Sequence, residues 1–198
     1  RGEGKNGTSV ARARLVIEGD GGRLDDVRVI FRQVPAVESP YHFGSRIVPA
    51  GDGTLYVTLG ERNFARQEAQ NPANHIGKVV RITTDGAPAA ANPKLPGWDP
   101  LVWSIGHRNI QGAALDPATR QLWTVEHGAR GGDELNHPEA GKNYGWPVIT
   151  YGRDYNGSPI GIGTRKDGME QPVYYWDPSI ATSGLAFYDG NLFPGWKG

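Results

Sequence analysis

The stretch Glu126-His-Gly-Ala-Arg-Gly-Gly-Asp-Glu134, followed by Gly141-Lys-Asn-Tyr-Gly-Trp146, brings acidic oxygens, five glycines and two aromatic rings into one polar region. Glycine lets the backbone turn its carbonyl oxygens toward an ion. Asp133 and Glu134 offer the hard carboxylate oxygens that calcium prefers over the nitrogen and sulfur ligands of zinc. The stretch reads as a cation and cofactor loop, with a glycine-rich turn that holds no ion as the plain alternative.

The elements that must position such a loop are strands. The chain has 29 glycines and 15 prolines among 198 residues, and they punctuate apolar, β-branched and aromatic runs rather than clustering. Residues 14–17 and 27–33 flank Asp20-Gly-Gly22, and residues 46–48 and 54–59 flank Gly51-Asp-Gly53, so both pairs read as hairpins with tight turns. Further strands are expected at 76–83, 101–105, 112–115, 121–125, 173–176 and 184–188, with no long amphipathic helix. A loose repeat links residues 45–57 to 112–124 and, more faintly, to 183–190. That is the pattern of a β-propeller blade. The expectation is an all-β, single-domain partial propeller over residues 1–198, holding roughly three blades and continued by blades outside this sequence.

Composition limits the partners. Lys+Arg and Asp+Glu are both 21, so no net field recruits a polyanion, and nucleic acid is not expected. The chain has no cysteine, which excludes disulfides, thiolate metal sites and a cysteine nucleophile. No apolar run approaches the roughly 20 residues that span a bilayer.

Four strings in order, Tyr41-His-Phe-Gly-Ser-Arg46, Ser104-Ile-Gly-His-Arg-Asn-Ile-Gln-Gly112, Glu126-His-Gly-Ala-Arg-Gly-Gly-Asp-Glu-Leu-Asn136 and Gly141-Lys-Asn-Tyr-Gly-Trp-Pro147, together resemble the soluble glucose/sorbosone dehydrogenase family of quinoprotein aldose sugar dehydrogenases. The resemblance implies a six-bladed propeller that binds pyrroloquinoline quinone (PQQ) and calcium near its axis. It also implies oxidation of the anomeric hydroxyl of an aldose to a lactone, an external electron acceptor, and a periplasmic or secreted location.

The same resemblance assigns roles by position. His42 is the general base, a role that suits imidazole, whose ordinary charge change falls near physiological pH; alone, a histidine after Tyr41 reads as a hydrogen-bonded strand-end residue. Arg108 and Asn109 contact the cofactor, where a guanidinium can fork onto a carboxylate and lie against a ring; the plain reading of Arg108 is a surface ion pair. The carbonyls of Gly128 and Ala129 hold the cofactor calcium, Ala129 standing where some relatives have proline. Glu134 and Tyr144 hold a second, structural calcium, with Thr150 and Asp154 as further ligands. Tyr41, in place of an acid found in some relatives, and Trp176 border the substrate. The family's glutamine from an earlier blade and basic residues from later blades are expected outside this chain. Two other classes stay open, a calcium-stabilised binding module and a calcium-dependent lactonase, because a propeller alone does not assign function.

Overall fold

The computed structural model describes residues 4–198. Strands β1 (Ser9–Glu18) and β2 (Gly21–Arg32) form an antiparallel hairpin. Strands β3 (Gly44–Pro49), β4 (Thr54–Leu59), β5 (Lys78–Thr83) and β6 (Val102–Ile105) form one four-stranded antiparallel sheet in chain order. Strands β7 (Ile110–Leu115), β8 (Leu122–Glu126), β9 (Asp133–Asn136) and β10 (Tyr174–Trp176) form a second sheet of the same topology. These are two complete blades of a β-propeller, and their innermost strands β3 and β7 lie against each other. Among the described residues helix is confined to two short 3-10 turns, Arg66–Gln70 and Pro194–Trp196.

The first blade is covered on both faces, which is why β4 and β5 read as near-continuous apolar runs rather than alternating ones. Alternate side chains still point opposite ways. Val57 and Leu59 of β4, with Val80 and Ile82 of β5, pack on Val10 and Phe31 of the hairpin. Tyr56 and Val79 turn the other way, onto Ile110 and Leu122 of the second blade. Each such side chain contributes about 1.5–3 kcal/mol on burial, so the stacking of hairpin, first blade and second blade is one continuous apolar association.

Two expectations differ from the structure. Strand β9 falls inside the stretch read as an acidic loop: Asp-Glu-Leu-Asn has no strand-like pattern of its own, and it is extended because Val125 and Glu126 of β8 pair with Leu135 and Glu134. Residues 184–188 form no strand, having no paired neighbour among the described residues.

The meander decides where chemistry can gather. The start of β3, the end of β4, the start of β7 and the end of β8 share one edge of the paired blades. The connections 33–43, 60–77, 106–109 and 127–132 therefore meet there. Three backbone contacts fasten them: Glu61 N donates to Arg108 O at 2.8 Å, His127 N to Asn109 O at 3.1 Å, and His107 N to Gly77 O at 3.1 Å.

Candidate active site

His42 ends the connection into β3, and its Nδ1 lies 2.6 Å from Glu61 Oε1. Glu61 is two residues beyond β4 and only 1% exposed, and its second oxygen, Oε2, has no partner among the described residues. The imidazole keeps 15% of its surface open. Gly60 makes the approach possible: a Cβ there would stand 1.9 Å from the His42 carbonyl oxygen and 3.1 Å from Asn109 Oδ1.

Asn109 joins this group from the neighbouring blade, its Oδ1 accepting from Gly44 N at 3.2 Å and from Gln111 Nε2 at 2.9 Å. Arg108 is no surface ion pair. It is 4% exposed and bonds to no carboxylate among the described residues. Its guanidinium donates to His127 O at 3.1 Å and to Tyr155 Oη at 3.5 Å, lies 5.2 Å from the centre of the Trp146 ring, and leaves Nε buried without a partner among the described residues. The backbone N of Arg108 donates to Glu126 Oε2 at 2.6 Å.

Gly128, Glu134 and Tyr144, with Thr150 and Glu126, line one small cavity beside Arg108. Its volume is about 10 Å³, room for roughly one water-sized particle. That suits an ion and excludes a quinone. Glu126 and Glu134 both accept from Asn136 Nδ2 at 3.0 Å. Burial, then repulsion by Glu126 and by Asp133, pushes the Glu134 carboxyl up to about 8. Among the described residues no cluster of three His, Cys, Asp or Glu side chains could hold a metal, so a cation here would draw on main-chain and hydroxyl oxygens as well.

Three assignments are corrected or qualified. Asp133 is not a cation ligand: Gly128 N (2.9 Å), Ser179 Oγ (2.7 Å), Ile180 N (3.1 Å) and Ala181 N (2.7 Å) occupy its two oxygens. Burial works against its charge, yet these donors hold its pKa below the usual carboxylate range. Asp154 is outside the cavity and pairs with Arg66 at 3.3 Å. The side chain of Ala129 packs in an apolar cluster with Ala69, Trp146 and Ile160, which leaves only its carbonyl for ligation.

Tyr41 stands half exposed with its ring edge toward His42, 6.5 Å between centres. Trp176 is not part of this cluster. It ends the outermost strand β10 and lines a different cavity with Tyr151, Tyr175 and Arg165. The residue that sequence reasoning missed is Glu61, whose one local signal was a charged Glu-Arg pair directly after an apolar strand and a glycine.

Blade edges that gather a histidine, a buried arginine and a carboxylate-lined cavity define a propeller with its site at one end of the axis. The chain belongs to the Glucose / Sorbosone dehydrogenase family, whose model matches residues 1–198. It is 45% identical to the aldose sugar dehydrogenase YliI of Escherichia coli K12 over 98% of this chain and 53% of that one. A crystal structure of a glucose dehydrogenase, 48% identical, superposes on the whole chain with a TM-score of 0.93 and is covered over 57% of its length. The PQQ-bound form of the aldose sugar dehydrogenase of Streptomyces coelicolor, 32% identical, gives 0.69 over 88% of this chain and 48% of that one. The chain thus spans about half the length of the curated relatives it matches.

Proposed function

We propose that this chain contributes the base and part of the cofactor pocket of a PQQ-dependent aldose sugar dehydrogenase, working with blades supplied by the rest of the protein. The observation that carries the reading is the His42–Glu61 pair at 2.6 Å, open on one side and tied to the Arg108-Asn109 loop. When bound, PQQ accepts the hydride leaving the anomeric carbon, and calcium polarises its quinone oxygens.

The chain's own residues do the rest. His42 takes the hydroxyl proton through Nε2, and Glu61, accepting from Nδ1–H, fixes the tautomer that leaves Nε2 basic. The loss of one proton and one hydride from the same C–OH group yields the lactone. The unpartnered Nε of Arg108 is a buried donor that a carboxylate of the quinone satisfies, and Asn109, whose Oδ1 is already taken by Gly44 N and Gln111 Nε2, donates at the ring edge through Nδ2. Gly128 and Ala129 carbonyls hold the cofactor calcium. Glu134 and Tyr144 hold the second ion, for which the cavity beside Arg108 has the right size. Tyr41 borders the sugar. An external acceptor reoxidises the cofactor, and the location is periplasmic or secreted. Among the described residues no helix is long and apolar enough to cross a membrane.

The test is reconstitution. Protein stripped with a chelator and reloaded with calcium and PQQ is expected to bind the quinone and to reduce an artificial acceptor when aldoses are added, whereas calcium-free protein stays inactive. Absence of quinone binding in the reloaded protein sinks the dehydrogenase reading and leaves the binding module and the lactonase.

A further inference from the structure

His42 adopts φ +51, the left-handed region that a side-chain-bearing residue keeps only where its surroundings enforce it. Glu61 holds the imidazole. The main chain on either side is held by the next residue along. Arg62 is completely buried, and its guanidinium donates to the carbonyls of Ser39 and Tyr41, the latter at 2.9 Å, and to Asn6 at both its carbonyl (3.3 Å) and Oδ1 (2.5 Å). The same guanidinium carbon lies 3.7 Å from the centre of the Phe43 ring. In return, the Arg62 carbonyl accepts from Ser39 Oγ at 2.7 Å. One side chain thus fixes residues 39, 41 and 43, every second residue around the base.

A buried cation normally finds a carboxylate. Here the partners are carbonyl dipoles, a side-chain amide oxygen and an aromatic face, and no carboxylate bonds to the guanidinium among the described residues. Burial lowers the Arg62 pKa, with the adjacent Glu61 charge working the other way. Mere space-filling would not require four guanidinium hydrogen bonds, two of them to carbonyls of the connection that carries His42 and two to Asn6. The planar fork also explains why arginine stands there. A lysine ammonium cannot reach the Ser39 and Tyr41 carbonyls together while lying flat on Phe43.

We infer that Arg62 is a positioning residue for the reaction, holding the 39–43 main chain so that the His42 imidazole faces the substrate. The inference rests on the proposed role of His42 as base. Glu61 sets the tautomer and Arg62 sets the place, so two consecutive residues beyond one strand control both. Arg62 touches neither sugar nor quinone.

The test compares Arg62→Lys, and the milder Asn6→Ala, with the unmodified protein loaded with quinone and calcium. Arg62→Lys is expected to lower kcat on the order of 10- to 100-fold, the scale of a displacement of about 1 Å, while KM and quinone affinity stay within about twofold. Nitrogen-15 labelled histidine gives the second readout: the Nδ1–H resonance of His42 shifts or broadens in Arg62→Lys before any quinone is added. Asn6→Ala, which deletes one of the acceptors, moves both readouts the same way by a smaller factor. It decides the matter if Arg62→Lys does not fold. A wild-type kcat in the folded variants overturns the inference, whether or not the resonance moves. Full turnover in His42→Ala removes the base reading instead, and the resonance still reports on the Arg62 clamp.

Discussion

The two blades carry the same pair of side chains at the same place and leave them in opposite states. In each, a histidine ahead of the innermost strand meets a glutamate 19 residues later, at 2.6 Å for His42 and Glu61 and at 3.0 Å for His107 and Glu126. His107 is fully buried. Its other nitrogen meets Ser104 Oγ at 2.8 Å, its ring stacks on Tyr144 at 4.9 Å, and Glu126 Oε2 receives Arg108 N. Both nitrogens of His107 and both oxygens of Glu126 are therefore in use. In the first blade Glu61 Oε2 has no partner, and Nδ1 is the only nitrogen of His42 with a protein partner among the described residues. A saturated buried pair rigidifies the loop it joins; a pair with one open nitrogen keeps the capacity to accept a proton. The fold repeats the pair, and burial divides its uses.

The largest predicted effect separates the two dyads. His42→Ala is expected to cut kcat/KM by about 10²- to 10⁴-fold, the usual worth of a general base, and to lower stability as well, because Glu61, 1% exposed, loses its one side-chain partner. His107→Ala is expected to lower stability without a comparable loss of turnover. Removing one member of a buried hydrogen-bonded pair costs about 3–5 kcal/mol of folding free energy, read by urea denaturation, and turnover per folded molecule falls far less. Equal losses of turnover per folded molecule in the two variants would erase the distinction. A sharper version uses the residue just before each glutamate, Gly60 in one blade and Val125 in the other. Val125 sits 4% exposed in the core, whereas a Cβ on Gly60 meets the His42 carbonyl. Gly60→Ala should therefore displace the base, lowering kcat about tenfold or more at a cost of about 1–3 kcal/mol in stability. Wild-type kcat in Gly60→Ala would show that the His42 connection yields without consequence.

Much of the architecture was legible because the hairpins β1–β2 and β3–β4 turn through Asp20-Gly-Gly22 and Gly51-Asp-Gly53, and the blade repeat brings strong strands back at similar spacing. Strand β9 was not, since its four polar residues are extended only by the register with β8. Within the site, His42, Arg108, Asn109 and Gly128 stood out through the strings that contain them. Glu61 and Arg62 did not. Their nearness to His42 is set by β3 pairing with β4, Gly44 opposite Leu59, a register that local spacing does not announce. Asp133 misled for a related reason: a carboxylate among glycines looks the same whether it awaits an ion or N–H donors, and most of its donors arrive from residues 179–181, far along the chain.

A third predicted effect, on stability alone, comes from the residue that opens the third strand of each blade. Both are fully buried and they carry opposite charges: Asp133 collects N–H donors, while Lys78 donates to the carbonyls of Glu68 at 2.8 Å, Ala69 at 3.0 Å and Ile76 at 2.5 Å. The three acceptors partner every ammonium hydrogen, yet burial, opposed by the Glu68 charge, pushes Lys78 down from 10.5 to about 7. The sign of the pH dependence follows from the proton count. Between about 7 and 10.5 the unfolded chain holds the lysine proton more firmly than the folded one, so unfolding binds protons and folding stability rises with pH across that window. Below about 7 both states are protonated, and the cost of burying the charge is present in full. Urea denaturation at several pH values through the window should show this rise in the unmodified protein. Lys78→Met should be flatter over the same range, though less stable because three buried carbonyls lose their donor. A rise of equal slope in Lys78→Met would assign the pH dependence to other groups and leave Lys78 as a charged strut that its three carbonyls fully support.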